Sequence, residues 1–408
     1  MGFQRPFGIL FAIFGLSSVT ITTSPLSQQL FNAIQVDLGN EGVIRSKESL
    51  EYGKLENPVR NELKILGQSH HLCTRDEIKQ GAWLPVRLRK PPYISKTSHL
   101  RCYPMEAYKK NHWDTYDWFP NSNCEFVPWK TQKFCSIVKR ATILIIGDSL
   151  SWEHFSSMAQ LLGLRVLQSA QHVSKAQQRN HVQLACNDTV RIVFRRDDLL
   201  TNLTESIKRA FPQVVVVNRG AHYQNDTKFL PAIQHNIEEL KSWKEACKRM
   251  NIRCHLFWRT SVPGHPLCFK MNFTKPSNNL SEMEAWVKNF SNYDNHTIKY
   301  HWYDYKRQND LVLEMLDKMM DDEYDVMDAY HLNMLRPDEH RAHEGDCLHN
   351  CYPGKMDVYS RLLLHFLMMR RSSEDTKDLE DRYNRAMIRK SQEDAKNQED
   401  RHNRAIRH

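Results

Sequence analysis

None of the ten cysteines stands in a CxxC pair, and no stretch combines two such pairs at zinc-ribbon or finger spacing. That absence argues against thioredoxin-like redox chemistry and against a structural zinc module. Dense Lys/Arg stripes with interleaved aromatics are missing too, as is any helix-turn-helix pattern, so nucleic acid is not an expected partner. The N-terminal apolar run, Phe7 to Leu16, falls short of the roughly 20 residues that a membrane span needs.

What is present describes a secreted or lumenal globular protein. The chain has 408 residues, 40% of them apolar, enough for one large core or two smaller ones. Its net charge of +9 is spread among acids rather than gathered into a patch. The cysteines are even in number and dispersed, which fits disulfides made in an oxidising compartment. Asn187, Asn202, Asn225, Asn272, Asn279, Asn289 and Asn295 each begin a glycosylation sequon. Arg5, the apolar run and no further charge until Asp37 read as a signal peptide or signal anchor over residues 1–23. An anchor of this polarity would leave the bulk of the chain lumenal, in the Golgi membrane; a cleaved signal would leave it secreted. A polar stem follows over 24–68, then a catalytic-sized domain over 69–371. The charged tail, 372–408, carries a crude repeat at Glu380–Ala386 and Glu399–Ala405 and reads as exposed helix or disordered extension.

The domain is organised around Ala141–Trp152. Thr142 to Ile146 is a β-branched and aliphatic run suited to a strand buried on both faces. Gly147 permits a sharp turn, and a helical pattern of apolar residues follows over Trp152–Leu162. Strand, tight turn and helix would lift Ser149 over the carboxyl edge of a sheet, beside the free amides of a helix N-terminus. The other reading of a serine there is a plain helix cap. Further strands are expected at Leu164–Leu167, Arg191–Phe194, Val214–Val217 and His255–Trp258. Helices are expected at Pro231–Met250, Asp310–Met320 and Met356–Met369. Alternating strands and helices argue for an α/β fold, a three-layer sandwich with a mostly parallel central sheet over 139–371. Before it, residues 69–138 intersperse Trp83, Trp113, Trp118 and Trp129 with cysteines and prolines. They read as a disulfide-tied, loop-rich lobe whose tryptophans either offer sugar rings a groove or simply form its core.

Three polar clusters fall at strand ends or before a helix: Ser149, Asn218, and Asp346 with His349. Ser149 is the candidate nucleophile, His349 the base, and Asp346 the group that orients the imidazole. The Ser149 N–H and the Asn218 side chain are the candidate oxyanion donors. Arg219, His222 and Arg259 lie near the same edge and are candidates for binding donor or acceptor. Asp338 with His340 is a competing Asp/His pair, and Asp346, Cys347, His349 and Cys351 are a crowded zinc alternative that the disulfide reading displaces.

Gly147-Asp-Ser-Leu150, Val217-Asn-Arg-Gly220, Trp258-Arg-Thr-Ser261, Leu335-Arg-Pro-Asp338 with His340, and Asp346-Cys-Leu-His-Asn-Cys-Tyr-Pro-Gly354 with Asp357 resemble the GDSL/SGNH esterase superfamily. Within it they are most similar to the PC-esterase group that includes the plant trichome-birefringence-like polysaccharide O-acetyltransferases, over roughly residues 70–370. The resemblance implies acetyl transfer through an acyl-serine, from a donor such as acetyl-CoA to a glycan hydroxyl, with no bound cofactor and no metal. Water in place of the sugar would make the chain an acetylesterase. Asn350 stands where plant members usually carry Trp, Tyr359-Ser360 where they carry Trp-Asn, and Arg-Gly follows Asn218 in place of Thr-Gly-His. The other reading is a secretory carbohydrate-binding glycoprotein that keeps the fold without the activity.

Overall fold

The computed structural model describes residues 71–373 apart from 89, 95–112, 166–179, 224, 272, 294, 322 and 342–344. The expected signal or anchor segment, the stem and the tail beyond 373 lie outside the described residues. Among the described residues, no helix is long and apolar enough to cross a membrane.

The centre is β3 (Thr142–Gly147), the strand expected from its apolar run. It pairs in parallel with β5 (Val190–Arg196) on one side and β6 (Val214–Val217) on the other. β7 (His255–Arg259) and β8 (Asp325–Met327) extend the sheet in parallel beyond β6. β4 (Asn180–Ala185) closes the other edge antiparallel to β5, so the order is β4-β5-β3-β6-β7-β8.

Side chains alternate across a strand, and here both faces are covered. Ile143 and Ile145 pack with Phe155, Met158, Leu362, Leu363 and Phe366. Leu144 and Ile146 pack with Ile233, Ile237, Val312 and Leu316. The first group draws on α2 (Ser149–Leu161) and on the helix over 355–373, here α7; the second on α4 (Asp226–Arg249) and α6 (Tyr305–Met320). The fold is therefore the expected three-layer α/β sandwich. Two helices start earlier than their apolar periodicity suggests, at Asp226 rather than Pro231 and at Tyr305 rather than Asp310. Asn225 caps α4 by accepting from the Lys228 N–H, and a proline in an early turn displaces few helical hydrogen bonds.

Two sequence expectations are corrected. Leu164 and Arg165 are not in a strand, and the rest of that expected strand lies outside the described residues. The N-terminal lobe is not merely loops: β1 (Gly81–Leu88) and β2 (Trp113–Pro120) pair antiparallel through eight registered residues. Of the two readings of its tryptophans, groove or core, the core one holds for three of them. Trp83, Trp118 and Trp129 are buried, the first two packed edge to face at 5.6 Å. Cys73–Cys124 ties the lobe, and α7 docks it. Arg361 donates to the carbonyls of Phe126 and Val127 and to Asp117, while His365 bonds the Cys73 carbonyl.

Further disulfides join Cys135–Cys186, Cys247–Cys254 and Cys268–Cys347. Such a set suits an extracytoplasmic, oxidising compartment. The sequon asparagines Asn187, Asn202, Asn225, Asn279 and Asn289 are all exposed.

Candidate active site

Gly147 ends β3 with φ +149°. A Cβ there would meet the Ser151 hydroxyl at 2.4 Å and the Asn218 carbonyl oxygen at 2.8 Å, so only glycine fits this turn. Asp148 is the N-cap of α2, its Oδ1 accepting from the N–H groups of Leu150 at 2.9 Å and Ser151 at 3.4 Å. Ser149 is therefore the first residue of the helix, not its cap, and is only partly buried.

The partner group arrives on a second small element. β9 (His340–Arg341) and β10 (Asp346–Asn350) pair antiparallel with a register shift between Asp346 and Asn350. Residues three apart in a regular strand point to opposite faces. The bulge removes that conflict and lets Asp346 and His349 meet. Asp346 Oδ1 accepts from the N–H groups of Leu348 at 3.1 Å and His349 at 3.0 Å, locking the turn. Its other oxygen lies 2.9 Å from His349 Nδ1. His349 Nε2 lies 2.9 Å from Ser149 Oγ. The Cys268–Cys347 bond and the His265 N–H to Cys347 carbonyl contact anchor β10 from the opposite side.

Electrostatics agree with this order of roles. Burial opposes ionisation of Asp346, but hydrogen bonds from the His349 ring and backbone, aided by the Arg341 charge, hold the carboxyl well below its ordinary range. Burial opposes protonation of His349 as well. The Asp346 hydrogen bond and the charges of Glu153 and Asp346 outweigh it and raise the imidazole above its ordinary value, with Arg341 acting against them. The site thus holds an ionised acid, and an imidazole ready to take a proton.

The other sequence candidates fall elsewhere. Asn218 sits at the end of β6, but both its amide hydrogens are committed, to the Arg259 carbonyl at 2.8 Å and to Ser261 Oγ at 3.1 Å. In this arrangement it has no N–H left for an oxyanion. Arg259 is no substrate ligand: fully buried, it donates to the Leu150 carbonyl and Ser151 Oγ and braces the first turn of α2 from beneath. Arg219 donates to Asn236 and stacks over Phe229. His222, partly exposed, lies 3.4 Å from Asp198 and beside the Tyr300 ring. The rival pair also separates. Asp338 is bound by Arg336, whereas His340 faces His265 at 2.6 Å. Burial first, and then the Lys355 charge, press both of these imidazoles down, His265 to about 3, so they stay neutral. Cys347 and Cys351 are both disulfide-bonded and cannot serve as zinc ligands.

No protein-family model matches the chain, and no curated protein matches it. Among solved structures, the chain is similar to the periplasmic domain of a lipopolysaccharide acetyltransferase from Salmonella ser. Paratyphi A. Identity is 16% over 56% of this chain and 83% of that one, with a TM-score of 0.24. So loose a likeness adds nothing to the geometry above.

Two residues at the site escape a reading of the sequence alone. Glu153 lies one turn beyond Ser149 and is buried. Arg341 bridges it at 3.0 Å and approaches Asp346 at 3.6 Å. The one available signal was an acid placed in a short helix between Leu150, Phe155 and Met158, where only a partner could make burial tolerable.

Proposed function

We propose that this chain is a serine-dependent O-acyltransferase of the SGNH type, moving an acetyl group onto a sugar hydroxyl in the secretory pathway. The observation that carries the reading is the line Ser149–His349–Asp346, with both links at 2.9 Å. Ser149 Oγ attacks the acyl carbonyl while its proton passes to His349 Nε2. Asp346 holds the opposite ring nitrogen and stabilises the imidazolium. The oxyanion that forms sits at the N-terminus of α2, where Asp148 takes the N–H groups of Leu150 and Ser151 and leaves that of Ser149 to the substrate. Collapse breaks the bond to the donor, whose leaving group takes the proton from His349, and acyl-Ser149 remains. A sugar hydroxyl then attacks that ester, giving its proton to His349; the acyl–Oγ bond breaks, and His349 returns the proton to Ser149 Oγ. Water in the same position yields acetate.

The glycan acceptor and the membership of the PC-esterase group rest on the motif resemblance. The secretory assignment rests on the disulfides and exposed sequons. The anchor over residues 1–23 and the Golgi placement remain parts of the same proposal.

The test is hydrolysis of p-nitrophenyl acetate by the purified chain, followed by acetyl transfer to oligosaccharides. The wild type is expected to exceed Ser149→Ala by at least about a hundredfold. Equal rates for the two proteins would remove Ser149 as the nucleophile.

A further inference from the structure

The Ser149–His349 contact joins two elements that are far apart in sequence. One is the first turn of α2, the other the short β9–β10 hairpin. Between them lies Glu153. Ser149 and Glu153 are four residues apart on α2, and side chains at that spacing share one face of a helix. Both Glu153 oxygens accept from the backbone N–H of Asn350, at 3.1 and 3.2 Å. Oε2 also accepts from the Asn350 side-chain amide at 2.7 Å, and Oε1 from Arg341 at 3.0 Å. Asn350 immediately follows His349. The path is thus a closed ring: Ser149, one helical turn, Glu153, a hydrogen bond, Asn350, one residue, His349, and back to Ser149.

We propose that Glu153 is a positioning residue, which ties the hairpin bearing Asp346 and His349 to the helix bearing Ser149 and so sets the approach of base to nucleophile. The proposal rests on the reading of Ser149 and His349 as nucleophile and base. Glu153 touches no reacting atom; it acts through Asn350 and Arg341. A buried carboxylate is held in place by charge-assisted hydrogen bonds, and these are short and directional. Asn350, where plant members of the resembled family usually carry Trp, supplies two of the donors.

The same carboxylate sets part of the field at His349. The charged groups facing that ring are Asp346 and Arg341 on its own hairpin and Glu153 from α2, with His340 bonded to the His349 carbonyl. Arg259 and Lys355 also feel the Glu153 charge. A carboxylate that only paired with Arg341 would leave kcat of Asn350→Ala unchanged, whereas one that positions the hairpin through Asn350 would not.

The experiment compares full-length wild type, Glu153→Gln and Asn350→Ala by p-nitrophenyl acetate kinetics across pH. NMR titration of the His349 imidazole runs in parallel. Glu153→Gln is expected to keep KM, lose about ten- to a hundredfold in kcat, and shift both the acid limb and the His349 titration to lower pH. Asn350→Ala keeps the charge but loses one link, so kcat falls and the titration stays. Wild-type kcat together with an unmoved His349 titration in Glu153→Gln would overturn the proposal. If Glu153→Gln does not fold, wild-type kcat in Asn350→Ala overturns it instead. Should the wild type prove no faster than Ser149→Ala, the acyl-transfer reading falls. Hydrogen exchange then decides: faster exchange at His349 and Asn350 in Glu153→Gln upholds the tie, and unchanged exchange ends it.

Discussion

His349 Nε2 lies 2.9 Å from Ser149 Oγ across a sequence separation of 200 residues. Neither residue is local to the other's element. The parallel sheet brings them together, because β3 delivers Ser149 to its carboxyl edge and the β9–β10 hairpin leans over that edge.

Removal of the imidazole should therefore stop proton transfer without disturbing the fold. His349→Ala is expected to lower kcat by about 10²–10⁴-fold, with the melting temperature little changed, since the ring is partly exposed. Stopped-flow or steady-state ester hydrolysis checks this, and an unchanged rate would remove His349 from the mechanism.

The pH profile follows from the two shifted groups. His349 must be neutral to act as base, and its value is raised, so the acid limb should lie above the ordinary imidazole value of 6.5. Asp346→Asn takes away the ring's main hydrogen bond and should move that limb downward as well as slowing the reaction. The stability linkage has two edges. The depressed carboxyl contributes fully above its ordinary 3.8 and loses its contribution as pH falls further. The raised imidazole contributes fully below 6.5 and loses its contribution as pH climbs through the raised value. The pair should thus stabilise most between those two ordinary values. Chemical denaturation of wild type and Asp346→Asn at several pH values measures the window, and a difference that grows toward alkaline pH would contradict it.

Gly147→Ala should be costly for a reason local to the turn. Its φ of +149° disfavours any side chain, and the new methyl would press on the Ser151 hydroxyl and the Asn218 carbonyl. Backbone strain alone amounts to about 1–3 kcal/mol, and Ser149 would be displaced with it. The expected result is a lower melting temperature together with a loss of activity. A variant that kept both would show that the turn can relax.

The Cys268–Cys347 bond closes a long loop, with a sequence separation of 79 between its ends, and one end lies beside Asp346. Replacing both cysteines with serine should cost about 2–5 kcal/mol of stability. It should also loosen β10 more than the sheet. Hydrogen exchange resolves the two, with faster exchange expected at Leu348 and His349 and unchanged exchange in β3.

Much of this was open to a reader of the sequence. The Thr142–Ile146 run declared a buried strand, because a strand covered on both faces needs apolar side chains at every position. Gly-Asp-Ser and Asp-x-x-His marked the three residues that the fold brings into contact, because each motif keeps its polar groups within a few residues. Other features were hidden for the opposite reason. β4 alternates exposed and buried positions and follows no continuous apolar run, and β8 is three residues long. Such edge strands are defined by the neighbour that pairs with them.

The division follows the range of the forces involved. Sequence alone determined the central strand, the sharp turn, the Ser149 helix and the residue types offered as nucleophile, base and orienter, since propensity, sterics and side-chain chemistry act over a handful of neighbours. Only the tertiary structure decided that Asn218 spends its amide on Arg259 and Ser261, that Arg259 lies buried beneath the nucleophile, and that Glu153 grips Asn350. A buried polar group must find a partner, and where that partner comes from is settled by the packing of segments a hundred or more residues apart.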